Sequence, residues 1–256
     1  SHHSASYTIP RKAPLSPDCD PILVDLEKKF GEKLTDFLID WVADKPGSQD
    51  IFIIQRQYGE NFDKLLEEIN NFLSHHAGEI IILNIRDYHI SSPSAFSTYT
   101  NKIETQFNKK LCPRPSHASE VSVQRMKDSG HQVIVISHTE SEAKNRMFWP
   151  ASYWPTAWPG TPDVRELFKF LEKGLDKRSP DKGYVTEAML SPNGIFIVLN
   201  VLSNRKEALS EICNEQLIPW LKQQTPGPKG INVVICDFVS SAFCKTVVDM
   251  NKYIIS

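Results

Sequence analysis

Cysteine thiols are the most reactive side chains in this sequence, and their spacing limits the chemistry they can do. The five cysteines are scattered along the chain, and no two of them form a Cys-x-x-Cys pair. An odd, scattered set argues against a disulfide framework and against a structural zinc site. Cys236 and Cys244 flank Asp237, but a nucleophilic thiol needs a nearby base, so we expect two buried, reduced thiols in a cytosolic protein.

Two other local groups could bind a ligand, and for both we favour a structural interpretation. His75 and His76 end a predicted helix just before Gly78, where imidazoles complement the helix dipole. Metal binding by this pair is not expected, because no carboxylates lie at ligand spacing. The tryptophans and prolines of residues 148–159 either face a membrane with amphipathic rings or form a rigid loop that packs its rings on the protein. We favour packing.

The composition indicates a globular protein with an ample core and excludes several function classes. The chain has 256 residues, of which 40% are hydrophobic, and a formal net charge of -2. This charge gives no electrostatic reason to expect a nucleic-acid partner. No apolar run approaches the roughly 18 residues that span a bilayer, so any membrane contact is expected to be peripheral. The chain has neither a signal peptide nor an initiator Met, so we expect it to start inside a longer natural sequence.

Short apolar runs alternate with amphipathic stretches, and these are the elements that must position any site. Strands are predicted at residues 51–54, 80–85, 132–137, 184–186 and 231–236. Helices are predicted at residues 22–43, 62–74, 94–109, 163–177, 206–223 and 242–253, with a turn at Lys45-Pro46-Gly47-Ser48. Near-continuous β-branched runs suit parallel strands that are covered by helices, so the pattern predicts a parallel β/α architecture.

Periodicity alone leaves a barrel and a doubly wound sheet both open. No Gly-x-Gly-x-x-Gly and no phosphate-binding Gly-x-x-x-x-Gly-Lys loop follows any strand, which counts against a nucleotide-binding sheet. No linker divides the chain, so we predict a single domain over residues 1–256.

Three stretches in a fixed order carry a specific resemblance to a known family. They are Ser1-His2-His3-Ser4-Ala5-Ser6-Tyr7; Phe148-Trp149-Pro150 through Trp158-Pro159 to Thr161 and Asp163; and Pro219-Trp220 through Thr225-Pro226-Gly227, with Gly230-Ile231-Asn232-Val233-Val234 and Asp237-Phe238-Val239. In that order they resemble the phospholipase C X-domain-containing proteins, relatives of bacterial phosphatidylinositol-specific phospholipase C, over essentially the whole chain. The resemblance implies a TIM-type (β/α) barrel with its site at the carboxyl ends of the strands. It also implies cleavage of a phosphodiester between an inositol headgroup and diacylglycerol by two histidines and an arginine.

The resemblance assigns His2 to the first catalytic histidine of the family, which takes the proton from the attacking inositol hydroxyl. The alternative is an ordinary surface histidine. His3 stands where relatives carry Asp or Asn, and this removes an oxygen ligand that calcium-dependent relatives provide, so no calcium and no other cofactor is expected. Gln55 holds the place of the second family histidine, in Ile54-Gln55-Arg56-Gln57-Tyr58-Gly59. A carboxamide cannot donate a proton at physiological pH, so the general acid is either lost or supplied elsewhere.

Three further residues receive roles from the resemblance, each with an alternative. Asp237 either orients the first histidine, caps the helix that follows, or is an ordinary loop residue at the end of its strand. Arg86, at the end of the strand at residues 80–85, either contacts phosphate or pairs with Asp87. Arg56 either leans over the site or faces solvent.

The resemblance also indicates missing segments. Relatives carry a further helix and a strand, ending in the phosphate-binding arginine, where this chain passes directly from Val42 to the turn at Pro46-Gly47. We therefore expect an incomplete barrel that lacks this βα unit and the first strand before Ser1. The expected functions are a phosphoric diester hydrolase of inositol phospholipids or a related phosphodiester, or a catalytically inactive relative that binds a headgroup or a protein. A truncated form without an independent role is the third. The predicted location is cytoplasmic, with peripheral membrane contact.

Overall fold

The computed structural model describes residues 41–44, 51–55, 57–85, 88–89, 92–139, 144–193, 196 and 206–253. These residues fall into two compact units, and the boundary lies between Tyr153 and Trp154. We call the described residues up to Tyr153 the first unit and those from Trp154 onward the second unit. The prediction of a single domain over residues 1–256 is not tested by this division and stays a prediction.

The first unit begins with a meander of short strands. Strands β1 (Trp41–Asp44), β2 (Ile51–Gln55) and β3 (Gln57–Asn61) pair antiparallel in that order, and β5 (Tyr88–His89) adds to β1 in parallel. Two expectations are wrong here. Residues 41–43 are not the end of a helix, because the apolar run of β1 pairs along its whole length with β2. The strand at residues 51–54 exists, but its neighbours are antiparallel, because a connection this short has no room for a crossover helix.

A second sheet in the first unit is parallel throughout. Its order is β4 (Ile81–Asn84), β6 (Val133–Ser137) and β7 (Phe148–Pro150), so the strands predicted at residues 80–85 and 132–137 are confirmed. Every residue of β6 is buried, as expected for the central strand of a covered parallel sheet.

Two predicted helices cover this sheet, α1 (Phe62–His75) and α2 (Pro93–Phe107), and a short helix, α3 (Val123–Asp128), precedes β6. Both long helices start where the sequence provides a cap. The Asn61 side chain accepts from the backbone N–H of Asp63 in α1, and the Ser92 side chain accepts from that of Ala95 in α2. Tyr99, one of the residues at steps of four along α2, is buried in the core.

One side chain ties these elements together at the amino end of β6. Gln132 is buried, and its Nε2 lies 3.0–3.3 Å from the carbonyl oxygens of Leu73, His76 and Glu79 at the end of α1. The Gln132 carbonyl also accepts from the N–H of Ile81 at the start of β4. Carbonyls at a helix end have no partner within the helix, so Gln132 acts as their cap. We call this the Gln132 clamp.

The second unit contains another three-stranded parallel sheet. Strands β8 (Thr156–Ala157) and β10 (Val233–Ile235) flank β9 (Val185–Glu187). Helix α4 (Val164–Lys177) lies between β8 and β9 in the chain and starts at the Asp163 cap. After a π-helical turn (Lys206–Ser210) come α5 (Glu211–Leu221), β10 and α6 (Ser241–Met250). The strands at residues 184–186 and 231–236 and the helices at 163–177, 206–223 and 242–253 are thus confirmed, with ends shifted by a few residues.

At the amino ends of β9 and β10 an arginine binds main-chain carbonyls, as Gln132 does in the first unit. The Arg178 guanidinium donates to the carbonyls of Gly227, Gly230 and Lys182 over 2.5–3.2 Å and lies over the Tyr184 ring, 5.5 Å from its centroid. The turn that it holds is tight, since a Cβ at Gly230 would meet the Thr225 carbonyl oxygen at 1.8 Å. We call this the Arg178 clamp. An α/β fold is therefore confirmed, and the strands of the described residues form separate, unclosed sheets.

Candidate functional site

The carboxyl end of the sheet in the first unit carries two polar side chains on neighbouring strands. Asn84 is the last residue of β4, and His138 follows directly after β6. The strands are parallel and in register, with Asn84 opposite Ile136, so both side chains reach the same edge of the sheet. In open α/β sheets and barrels this edge is where ligands bind.

Asn84 and His138 form a direct hydrogen bond. The His138 Nε2 lies 2.6 Å from the Asn84 Oδ1, and both residues are half-buried. An amide oxygen only accepts, so His138 donates this hydrogen bond from Nε2. The Ser137 hydroxyl donates to the Thr139 carbonyl over 3.0 Å and shapes the turn that carries His138. The arrangement is an oriented imidazole, and it suits proton transfer or anion binding.

The carboxyl edge of the sheet in the second unit carries carboxylates. Glu187 ends the central strand β9 and is fully buried, and the Thr156 hydroxyl of β8 donates to its carboxylate. Burial of a carboxyl group is costly unless hydrogen bonds replace the lost water, so Thr156 and Glu187 are a matched pair.

Asp237 follows strand β10 at the same edge of that sheet and is half-buried. The Asn214 side chain in α5 donates to the Asp237 main-chain carbonyl over 2.8 Å and so fixes the backbone at this point. The next residue, Phe238, is exposed and has a left-handed backbone with φ 50°, which costs a non-glycine residue conformational energy. The alternative of Asp237 as a helix N-cap is wrong, because Ser240 caps α6. Its role toward the first histidine stays a prediction.

The other predicted site residues cannot be compared with these side chains. Gln55 is the last residue of β2, where its backbone pairs with Gln57, but its side chain lies outside the described residues. His2, Arg56 and Arg86 lie outside them entirely. Of the predicted site residues, the structure therefore locates the Gln55 backbone and Asp237.

Of the two thiols predicted to be buried beside Asp237, Cys236 is buried and Cys244 is not. Cys213 and Cys236 are buried free thiols, and burial raises the pKa of each to about 12. Only a thiolate is an effective nucleophile, so both groups are inert near neutrality. Cys244 is exposed, so for this residue the expectation of burial is wrong, because it lies on the outer face of α6.

The aromatic stretch packs on the protein, as favoured from the sequence. Trp149 is 1% exposed, and its indole N–H donates to the Cys112 carbonyl over 2.9 Å. The Trp158 indole donates to the Met189 carbonyl over 3.1 Å. Trp154 covers Gly183 so closely that a Cβ there would lie 2.3 Å from its ring. These rings therefore have partners within their own units.

The described residues contain neither a group of metal ligands nor a membrane-spanning helix. No three His, Cys, Asp or Glu side chains among them are grouped so that they could hold a metal ion. None of the helices that the structure describes has the length and apolar character needed to cross a membrane.

Comparison with known proteins confirms the resemblance that the sequence motifs indicate. No family model matches the chain. PI-PLC X domain-containing protein 2 of Mus musculus is 28% identical over 98% of this chain and 81% of its own length. PI-PLC X domain-containing protein 3 of Homo sapiens is 24% identical over 98% of this chain and 86% of its own length. The chain is similar to the PI-PLC X domain-containing proteins over nearly its whole length.

Solved structures agree with this placement at the level of the fold. Phosphatidylinositol-specific phospholipase C from Listeria monocytogenes matches with a TM-score of 0.57 at 18% identity, over 93% of this chain and 92% of that one. The H258Y mutant of the Staphylococcus aureus enzyme matches with a TM-score of 0.56 at 12% identity, over 82% and 77% of the two chains. The chain thus shares the α/β fold of the bacterial phospholipases.

Sequence reasoning missed three polar residues at the strand ends, namely Asn84, His138 and Glu187. Each is a polar residue that ends or directly follows an apolar strand run, as in Ile82-Leu83-Asn84 and Ile136-Ser137-His138. That signal was present in the sequence. The partner of each residue lies on another strand, and only the strand pairing reveals it.

Proposed function

We propose that this protein is a phosphoric diester hydrolase of the phosphatidylinositol-specific phospholipase C type, acting on inositol phospholipids or a related phosphodiester. One observation carries the proposal: the similarity to PI-PLC X domain-containing proteins extends over 98% of the chain. The fold of bacterial phosphatidylinositol-specific phospholipase C supports it independently.

In this proposal His2 takes the proton from the inositol hydroxyl that attacks phosphorus, and Asp237 orients the His2 ring. Arg86 and Arg56 bind the phosphate, because a guanidinium keeps its charge and matches the geometry of phosphoryl oxygens. Gln55, at the place of the second histidine, contributes hydrogen bonds to the substrate but no proton. No calcium takes part.

We further propose that the parallel sheets belong to a TIM-type (β/α) barrel that lacks one βα unit. In a regular barrel, consecutive strands are parallel and joined by a helix, whereas Asp44 of β1 pairs antiparallel with Ile51 of β2. The alignment with the mouse protein spans 275 positions, more than the 256 residues of this chain, so the relative has residues within the aligned region that this chain lacks. The full-length transcript tests this directly, and an uninterrupted βα unit near Ala43 in a spliced form would support it.

A second candidate function is a catalytically inactive relative that binds a lipid headgroup or a protein. The observation that favours it is Gln55, because loss of a general acid costs about 10²–10⁴-fold in rate. For both candidates we propose a cytoplasmic location, with peripheral membrane contact when a lipid headgroup is bound.

The deciding experiment measures release of water-soluble inositol phosphate from phosphatidylinositol vesicles by purified wild type, His2→Ala and His117→Ala. Turnover by wild type and His117→Ala that is lost in His2→Ala supports catalysis. Sedimentation with vesicles that contain phosphatidylinositol, but not with phosphatidylcholine vesicles, together with no turnover, supports headgroup binding. A folded protein that shows neither turnover nor binding contradicts both lipid proposals.

A further inference from the structure

We infer that Phe238 and Val239 form an apolar tip that inserts into the surface of a lipid bilayer. We call these two residues the Phe238 tip. The inference rests on the proposed function for the identity of the partner, because a hydrolase of phospholipids works at a membrane surface. The observations that carry it all belong to the second unit.

Exposure is the first observation. Phe238 is 48% exposed and Val239 is 36% exposed, and the two are consecutive in the chain. The local structure is able to bury a phenylalanine, since Phe243 in the next helix is 6% exposed and belongs to the core of the same unit. Single exposed apolar residues are common in proteins, whereas adjacent ones in one loop are candidates for a contact surface.

Backbone strain is the second observation. Phe238 has φ 50°, in the left-handed region that disfavours a residue with a Cβ. The Asn214 side chain in α5 donates to the main-chain carbonyls of Asp237 and Phe238 over 2.8 and 3.5 Å and holds this conformation. Folding gains little from this phenylalanine, because close to half of it remains in water. Strain at such a residue points to a function that the side chain performs with a bound partner.

Rigidity is the third observation. Directly after the Phe238 tip, the Ser240 side chain accepts from the N–H of Phe243 over 3.1 Å. The Ser240 carbonyl accepts from the N–H of Cys244 over 3.0 Å. Asn214 on one side and Ser240 on the other therefore fix the backbone around the tip. A contact surface that is already ordered loses less of its binding free energy to ordering.

The position of the tip relates it to a phospholipid substrate. The tip follows β10 at the carboxyl edge of its sheet, directly after Asp237. In β/α enzymes this edge carries the substrate site. A phospholipid that reaches the edge from a bilayer keeps its acyl chains in the bilayer, so the surface beside the edge lies against the membrane.

The distribution of charge also favours a lipid surface. No charged residue occurs from Phe238 to Cys244, so the tip and the start of α6 enter the headgroup region without burial of a charge. The first charge is that of Lys245, whose side chain is 75% exposed and whose Nζ lies 2.7 Å from the Asp249 carboxylate. A flexible ammonium group beyond an apolar tip is able to reach lipid phosphates.

The test compares binding to vesicles with turnover of a substrate that needs no vesicle. The vesicles contain phosphatidylcholine and phosphatidylinositol, and the soluble substrate is glycerophosphoinositol, which lacks the acyl chains. The exposed half of a phenylalanine presents roughly 100 Å² of apolar area. Phe238→Ser should therefore weaken partition into vesicles, measured by sedimentation, by about 10–50-fold. Its kcat on the soluble substrate should stay within about threefold of wild type.

The matched control is Val248→Ser, which removes an apolar side chain that is 63% exposed near the far end of α6 and should bind like wild type. Phe238→Trp should retain binding, because an indole suits the membrane interface. Phe238→Gly should bind vesicles more weakly although it relieves the backbone strain. A purely structural role of Phe238 would move stability and binding in the same direction.

The outcomes separate the inference from the proposed function. Equal vesicle binding by wild type and Phe238→Ser, or no binding by either, overturns the inference and leaves the hydrolase proposal standing. Equal losses on vesicles and on the soluble substrate place Phe238 in the substrate site and also overturn it. Self-association that depends on Phe238, without vesicle binding, makes a second copy of the chain the partner instead. A wild type that cleaves neither substrate but binds vesicles through Phe238 overturns the hydrolase proposal and supports the tip.

Discussion

The two three-stranded parallel sheets are held at their amino ends in the same manner but differ at their carboxyl ends. In each sheet one side chain donates to three main-chain carbonyls, Gln132 in the first unit and Arg178 in the second. At the carboxyl ends, the first unit presents the half-buried His138 and the second a fully buried Glu187. In both sheets a rigid clamp lies at the amino ends of the strands, whereas the polar groups at the carboxyl ends differ. The two edges of such a sheet therefore have different functions.

The largest loss of stability is expected at the Gln132 clamp. Gln132→Leu removes the donor to three carbonyls while it keeps the side-chain volume, so the free energy of unfolding should fall by about 2–3 kcal/mol. Urea unfolding at pH 7 measures it. Gln124→Leu on the exposed face of α3 is the control, with an expected change within about 0.5 kcal/mol. Equal effects of the two substitutions would show that the clamp does not contribute.

The Arg178 clamp is expected to contribute less. Burial lowers the pKa of the Arg178 guanidinium, and this desolvation cost offsets part of the stability that its hydrogen bonds contribute. When Arg178 is replaced, the carbonyls that it binds reach water more easily than those at the Gln132 clamp. Arg178→Met should therefore lower the free energy of unfolding by about 1–2 kcal/mol. Arg165→Met, on an exposed position of α4, is the control. A loss larger than that of Gln132→Leu would reverse the comparison.

Alkaline pH should weaken the second unit through its buried thiols. The pKa values of Cys213 and Cys236 are raised by burial from 9.0 to about 12, so the unfolded chain releases these protons first. Their contribution to stability is complete below about pH 9 and is lost as the pH rises toward 12. The urea midpoint should fall more steeply from pH 8 to pH 10 in wild type than in the Cys213→Ala variant. Parallel curves would contradict this.

The smallest expected effect is a gain in stability at Phe238. Phe238 is exposed and has a left-handed backbone, which glycine adopts without the steric cost of a Cβ. Phe238→Gly should therefore raise the free energy of unfolding by about 0.5–1 kcal/mol. Val239→Gly is the control, because the Val239 backbone is not left-handed, and it should lose stability. Equal losses in both variants would show that Phe238 is not strained.

Much of the fold follows from local sequence signals. The helices α1, α2 and α4 combine a capping residue with apolar residues at steps of three and four, and each lies within two residues of its prediction. Strand β6 was predicted from its continuous β-branched run. Strand β1 was not, because Trp41-Val42-Ala43 also fits the end of a helical pattern. Its conformation is decided by pairing with β2, a non-local contact.

The candidate site was less predictable from the sequence than the fold was. The ordered motifs of the sequence led to the family, and the comparisons confirm it. Neither the motifs nor the comparisons show how the polar side chains at the strand ends are arranged. Asn84 and His138 lie 54 residues apart in the chain, and their hydrogen bond depends on the register of β4 with β6. Burial of Glu187 likewise depends on strands and helices that come before and after it.

The order of strands also bears on how the chain acquires its structure. The meander β1–β2–β3 joins residues within 41–61, so its pairing closes only short loops. Strands β9 and β10 must meet across the whole of α5, and parallel pairing of this kind forms late. During synthesis the apolar edge of β9 therefore remains exposed until β10 has left the ribosome. Strands β4 and β6 of the first unit pair in parallel over a similar length of chain, so chaperone dependence during expression should be set by the two parallel sheets rather than by the meander.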